Sequence, residues 1–573
     1  MVTNKYITRI ASVIMAAAVI LCLMASLFSD KLQEVYGNNA VTMKYESKLF
    51  NTDQIMDIDI LMDEDDWNNM LENAISEEYY SCNVVVNGKT FYSVGIRPKG
   101  NTSLSSIAND PDTDRYSFKL EFDHYIEGQT CYGLDKLILN NNYADATNMK
   151  EAIVYDMYQY LGVDASLYNY AKISVNGDYR GVYLALEAVE DSFMLRNYGT
   201  EDGNLYKPES MGIGGGVDGN GFPQMGEMPD GTDFPQKGEM PDGEDFPQKD
   251  EMPDGEDFPQ MGEAPNGEAA DIKMGIMGGN GGADLNYTDD DLDSYSTIWD
   301  GEITDSDKKD HKRVVEALKN ISEGTDLETY MDVDNILKYM AVHTFVVNDD
   351  SLSGTMAHNY YLYEYNGKLN ILPWDYNLSF GGMSMGGKMG GQSLGATSVI
   401  NDAIDTPFSI TNFFDALLEN EEYLEQYHGY LNELVEKYVN GGEFEKTYER
   451  IRSQIDDLVG NDPTAFYSYE EYEEAANMLI EVVQLRAKSV SGQLAGTIPS
   501  TDEGQQQDSS NLIDGSDIDL SVMGSFSGGG GGNEGQGKDN GFAGTPQPFD
   551  AGDVSPISEE KADLQDSNQD SVK

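Results

Sequence analysis

Positive charge is scarce in this chain. Its 573 residues hold 36 lysines and arginines against 102 aspartates and glutamates, a formal net charge of -66. A nucleic-acid binder needs a basic surface to neutralise phosphates, so that class is excluded. The same deficit argues against docking on anionic lipid. Such acidity suits basic partners or divalent cations, although much of it lies in low-complexity segments, where it serves solubility. Cysteine is scarcer still, at three residues. Cys22 lies in an apolar run. Cys82 and Cys131 remain, as one disulfide of an exported domain or as two small buried residues. With no Cys/His cluster, no zinc site is indicated.

One long apolar run is present, residues 10–28 (IASVIMAAAVILCLMASLF), preceded by Lys5 and Arg9. It reads as a transmembrane anchor or a long signal peptide. A span needs roughly 20 apolar residues, whereas a secretory apolar region usually has about 7–15. The length favours an uncleaved anchor, and small residues near Ala25 and Ser26 leave cleavage open. The basic flank puts the bulk of the chain outside the cytoplasm.

A mixed α/β region follows over 42–208. Met56 to Met62 alternates like a strand, Asp65 to Leu71 reads as a short helix with an Asp cap, and 83–96 and 116–122 have strand composition. Met149, Ile153, Met157 and Leu161 repeat at helical spacing. Asn176-Gly177, between two apolar runs, predicts a hairpin. Over 209–287 the composition collapses. A twelve-residue acidic unit recurs there: FPQMGEMPDGTD, FPQKGEMPDGED, FPQKDEMPDGED and a degenerate FPQMGEAPNGEA. Such units bury too little apolar surface to offset their ordering entropy, which predicts a disordered insertion. Helical patterns return within 288–500, notably 305–343, 411–439 and 444–494. The Gly-, Ser-, Asp- and Gln-rich tail, 501–573, reads as disordered.

The segment 347–382, VNDDSLSGTMAHNYYLYEYNGKLNILPWDYNLSFGG, is the most informative. Asn366-Gly367 between two apolar runs predicts a second hairpin. Acids flank it, Asp349-Asp350 before and Asp375 after, with Asn359 at its start. Asp and Asn also fill ordinary turns. In phosphoryl transfer, however, an Asp orients the attacking hydroxyl while an Asn and an Asp hold magnesium. Upstream, Arg97, Lys99 and Ser103 lie in and beside a polar, Gly-containing loop. Lys119 is in a strand, Glu151 in the first turn of a helix, and Glu187 at the end of a hairpin. Each position has an ordinary structural reading. The order, however, is that of a protein-kinase core: loop, strand Lys, helix Glu, hairpin, connector, Asp, Asn, hairpin, Asp. The spellings H-R-D and D-F-G are absent.

The motifs VGIRPKGNTS (94–103), YSFKLEF (116–122), ISVNGDYRGVYLALEAVE (173–190), NLYK (204–207), HNYYLYEYNGKLNILPWDYNLSFGG (358–382) and LRAKSVSGQLAGTIPS (485–500) together resemble the spore-coat CotH family of atypical protein kinases. The resemblance implies an α+β, kinase-like two-lobed fold: a mostly β nucleotide-binding lobe over 42–208 and a helical catalytic lobe over 288–500, preceded by the anchor or signal at 1–29. It implies transfer of the ATP γ-phosphoryl group, with Mg²⁺ or Mn²⁺, to hydroxyls of serine-rich coat or surface proteins. By position Asp350 is the catalytic Asp, with Asp349 a rival next door. Asn359 and Asp375 hold the metal. Arg97, Lys99 and Ser103 meet phosphates, Lys119 pairs with phosphate and Glu151, and Glu187 lies near adenine. Asn377 stands where many members have a second Asp. The expected location is membrane-anchored with the main domain outside the cytoplasm, or secreted or in the spore envelope if the anchor is cleaved. The alternative is a catalytically weak surface or spore-envelope binding protein on the same fold.

Overall fold

The computed structural model describes residues 40–209, 281–354, 357–383, 395–408 and 410–524, all within one compact unit. Seven strands close a barrel in the order β1-β2-β3-β4-β5-β7-β6. They are β1 (Met56–Leu61), β2 (Tyr80–Val86), β3 (Lys89–Lys99), β4 (Ser117–Glu121), β5 (Lys136–Asn140), β6 (Tyr168–Val175) and β7 (Asp178–Glu187). Neighbours are antiparallel except β1 and β6, whose parallel pairing closes the ring. Alternation in β1 puts Met56, Ile58 and Ile60 in the core and Asp57 outside. The Asn-Gly turns obey their chemistry. Asn87-Gly88, Asn176-Gly177 and Asn366-Gly367 all have positive φ at both residues, as a type I′ hairpin turn requires.

Helix α1 (Lys150–Leu161) follows β5 and is buried on most of its surface. A second, three-stranded sheet joins β8 (Asn204–Tyr206) to the hairpin of β9 (Tyr360–Tyr365) and β10 (Lys368–Pro373). The helical region holds α2 (Val333–Val346), α3 (Glu421–Glu433), α4 (Glu443–Val459) and α5 (Tyr469–Leu494). One apolar core fills the barrel around Ile58, Val84, Phe118 and Ile173. The larger core gathers α1, the hairpin and the helices. A β-rich first half and a helical second half make the fold α+β, as expected.

Buried polar ties join the halves. Arg115, before β4, donates to Asn141 O (3.0 Å), Val182 O (2.6 Å), Thr464 Oγ1 (2.8 Å) and both Asp462 oxygens (2.9 and 2.8 Å). Arg486 on α5, inside the LRAKS motif, caps α2 by donating to Thr344 O (2.8 Å) and Phe345 O (3.1 Å).

Several expectations are corrected. Among the described residues no helix is long and apolar enough to cross a membrane. The run at 10–28, on which the anchor, membrane contact and membrane-anchored location rested, lies outside the described residues. Those three expectations are therefore withdrawn. The repeats lie outside the described residues too. The chain is described again from 281, and Ala283 and Leu285 are buried ahead of the expected boundary at 288. The tail is also ordered further than its composition suggests: a helix spans Asp502–Gln507, and Met523, fully buried, accepts from Ala146 N (3.1 Å). Met523 joins the larger core with Ile518 and Leu520 packed beside it, which composition alone does not report. Cys82 and Cys131 are free, and burial pushes both thiols up to about 12.

Candidate active site

Helix α2 delivers the first acid. It ends at Val347, a β-branched residue held at φ +50°. The chain then turns through Asp349 to Gly354, where a Cβ on Gly354 would sit 1.6 Å from Asp349 O, so only glycine fits. The next strained residues are Ala357 (φ +48°) and Asn359 (φ +58°), then Asp375 (φ +61°) after β10. Non-glycine residues in this region cost of order 1 kcal/mol each and cluster where function demands a geometry. Two bonds tie the flanks together: Phe380 N to Val346 O (2.7 Å) and Asn348 Nδ2 to Asp375 O (3.4 Å).

Asp350 is held on both oxygens. His358 Nε2 lies 2.8 Å from Oδ1, and Asn359 Nδ2 donates to Oδ2 (2.9 Å) and to the Asp350 carbonyl (2.8 Å). Burial opposes charge on His358, but Asp350 outweighs it and raises the imidazole above its ordinary range. Asp375 is raised by burial and by the charge of Asp350, while Lys99, Lys207 and His358 pull the other way. The two acids thus share one field.

The barrel supplies the opposing cation from the end of β3. Lys99 Nζ donates to Asn140 Oδ1 (3.0 Å), and Asn140 Nδ2 donates to Glu151 Oε2 (2.8 Å) on α1. Burial lowers the Lys99 amine, against the pull of Asp375 and Glu151. Burial, then Asp375, raises Glu151 to about 8. Lys99 also lies 5.5 Å from the ring centre of Trp374, which meets Tyr361 edge-on at 5.4 Å.

The structure therefore gathers Lys99, Glu151, Asp350, Asn359 and Asp375. It seats the other candidates elsewhere. Lys119 pairs with Glu190 (2.7 Å), not with Glu151, and Lys136 holds the same carboxylate from the other side. Arg97 pairs with Glu77 and stacks on Tyr79. Ser103 sits in the first turn of the short helix Thr102–Ala108. Glu187 is fully buried, accepting from Tyr45 Oη (2.5 Å), Arg196 Nη2 (2.6 Å) and Leu167 N (3.1 Å). Its neighbours are structural partners rather than a ligand-facing surface. Asn377 donates to Tyr143 O (2.9 Å). It is the Asp350 carboxylate, rather than that of its rival Asp349, that His358 and Asn359 grip. Sequence reasoning gave no role to His358, Lys207 or Asn140. The first stands beside Asn359 and the second closes the NLYK motif, so both were in view. Asn140 carried no signal.

Asp350 and Asp375, brought in from either side of the β9–β10 hairpin and coupled electrostatically to a Lys99–Asn140–Glu151 chain, form the layout of a kinase-like phosphotransferase. The family model of the CotH kinase protein matches residues 96–490. The chain belongs to the CotH kinase family, and that membership gives it an enzymatic, kinase-like identity. No curated protein matches the chain.

Proposed function

We propose that the chain transfers the γ-phosphoryl group of ATP to hydroxyl groups of serine-rich proteins with the help of a divalent cation. The observation that carries this reading is the half-buried Lys99, bonded through Asn140 (3.0 Å) to Glu151 (2.8 Å) and drawn to Asp375, with Asp350 within the field of Asp375. Phosphoryl transfer asks a protein chiefly for positioning and charge neutralisation. Lys99 would bind phosphate oxygens, oriented through Asn140 and Glu151. Asp350 would accept a hydrogen bond from the incoming hydroxyl and take its proton late. His358 and Asn359 fix which way that carboxylate faces.

Asp375 and the amide oxygen of Asn359 would hold Mg²⁺ or Mn²⁺, which when bound neutralises charge on the phosphates. The donor set suits such an ion, because magnesium takes one or two carboxylates and completes its shell with phosphate and water. Among the described residues no group of three or more acidic, His or Cys side chains is poised around a metal.

The test is transfer of labelled γ-phosphate to a serine-rich protein with Mg²⁺ or Mn²⁺. Asp350→Asn and Asp375→Asn should each abolish the label while leaving the melting temperature within a few degrees. Undiminished transfer by either variant would overturn the assignment.

A further inference from the structure

Two lysines, not one, stand over the aromatic floor of the cleft. Lys207 follows β8, its backbone pinned by Lys207 N to Gly301 O (2.7 Å). Its Nζ lies 6.0 Å from the Tyr361 ring centre, as Lys99 lies over Trp374. With the two rings in edge contact, the ammonium groups are neighbours and repel one another, and each is drawn to Asp375. Placing two cations side by side is costly unless an anion sits between them. Asp375 acts on both, and Glu209 adds a second anion, its carboxylate Oε1 paired with Lys207 Nζ. Glu209 also lies in the field of His358 and Lys99. Its side chain is 42% exposed, and so can leave Lys207 without unfolding anything.

We propose that Lys207 is a phosphate-binding residue of this cleft and that Glu209 is a tethered carboxylate that holds the place of a substrate phosphate until one displaces it. This rests on the phosphoryl-transfer reading for its ligand, but its geometry asks only for a polyphosphate. Glu209 supplies one negative charge on a short side chain. A triphosphate supplies several, with oxygens enough to reach both lysines, and so outcompetes it.

The experiment is calorimetric titration of the full chain with inorganic tripolyphosphate, and separately with ATP. The variants are Glu209→Gln, Lys207→Met and the pair, with Glu425→Gln, an exposed acid on α3, as the charge control. If Glu209 occupies the cleft about nine-tenths of the time, Glu209→Gln tightens both ligands about tenfold. Lys207→Met weakens both by about tenfold or more, and in its background Glu209→Gln has little further effect. Glu425→Gln changes nothing. Unchanged or weakened affinity in Glu209→Gln, or full affinity in Lys207→Met, overturns the proposal. Should the chain show this affinity pattern yet transfer no phosphoryl group, the inference stands and the kinase reading falls. Transfer with affinities indifferent to Glu209 has the reverse meaning.

Discussion

Replacing Arg115 by Met tests what joins the barrel to the helices. Methionine keeps most of the aliphatic stem and removes the guanidinium. Asp462 is then left with its side chain only 2% exposed, receiving from Val182 N (3.0 Å) and Thr464 N (2.9 Å) but facing no cation. Val182 O and Asn141 O lose their donors as well. Breaking a buried pair on one side costs about 3–5 kcal/mol, a large share of the ~5–15 kcal/mol that holds a typical domain together. Asp462→Asn should cost a similar amount, because it strands the guanidinium instead. The double variant strands neither charge, so it should lose at least ~2 kcal/mol less than the sum of the singles. Urea unfolding of the four proteins at pH 7 gives all three numbers. Single losses below ~1 kcal/mol, or strict additivity, would refute the claim that this pair is the buried latch between the two halves.

Three further outcomes are expected. His343 is buried on α2 between Tyr376 Oη (3.0 Å) and Ser353 Oγ (2.9 Å), and burial lowers its imidazole from 6.5 to about 3. Between those values the unfolded chain binds the extra proton, so this group's contribution is complete above about pH 6.5 and shrinks by about 1.4 kcal/mol per unit below it; the stability gap between the native chain and His343→Asn, followed by urea melts from pH 7 to 5, should narrow at that slope. Asn377→Asp should cost about 1–3 kcal/mol, because it sets a carboxylate against the Tyr143 carbonyl, and should leave Mn²⁺ affinity measured by calorimetry unimproved. Glu187→Gln should lower the melting temperature by weakening the grip of Arg196 and Tyr45, with ATP affinity little changed, because its carboxylate is fully buried and taken up by those partners.

Much of this was legible in the sequence, for reasons that can be named. The Asn-Gly turns at 176–177 and 366–367 fixed two hairpins because that dipeptide tolerates positive φ at both positions, whereas Asn87-Gly88 lay in a stretch read only as strand. The acids flanking β9 and β10 had to meet, since a hairpin returns its ends to one place. Lys99 and Lys119 could not be told apart in this way. Their fates depend on register: Lys119 lies opposite Arg97, whereas Lys99 lies opposite Ser117, two residues nearer the cleft. Strand composition does not report register. Lys119 consequently meets Glu190, and Lys99 reaches the field of Asp375. Glu187 was equally opaque, because its partner Tyr45 is 142 positions away. The order of parts told that a Lys and a Glu would meet the acids, and the register decided which Lys.

The most direct test of the account is therefore phosphoryl transfer from ATP by Lys99→Met and Lys119→Met, side by side with the native chain. Transfer by the native chain, a loss of about 10²–10³-fold in Lys99→Met and near-native activity in Lys119→Met would agree with a cleft built on Lys99. An inert native chain, or a Lys119→Met variant that loses activity while Lys99→Met keeps it, would contradict it.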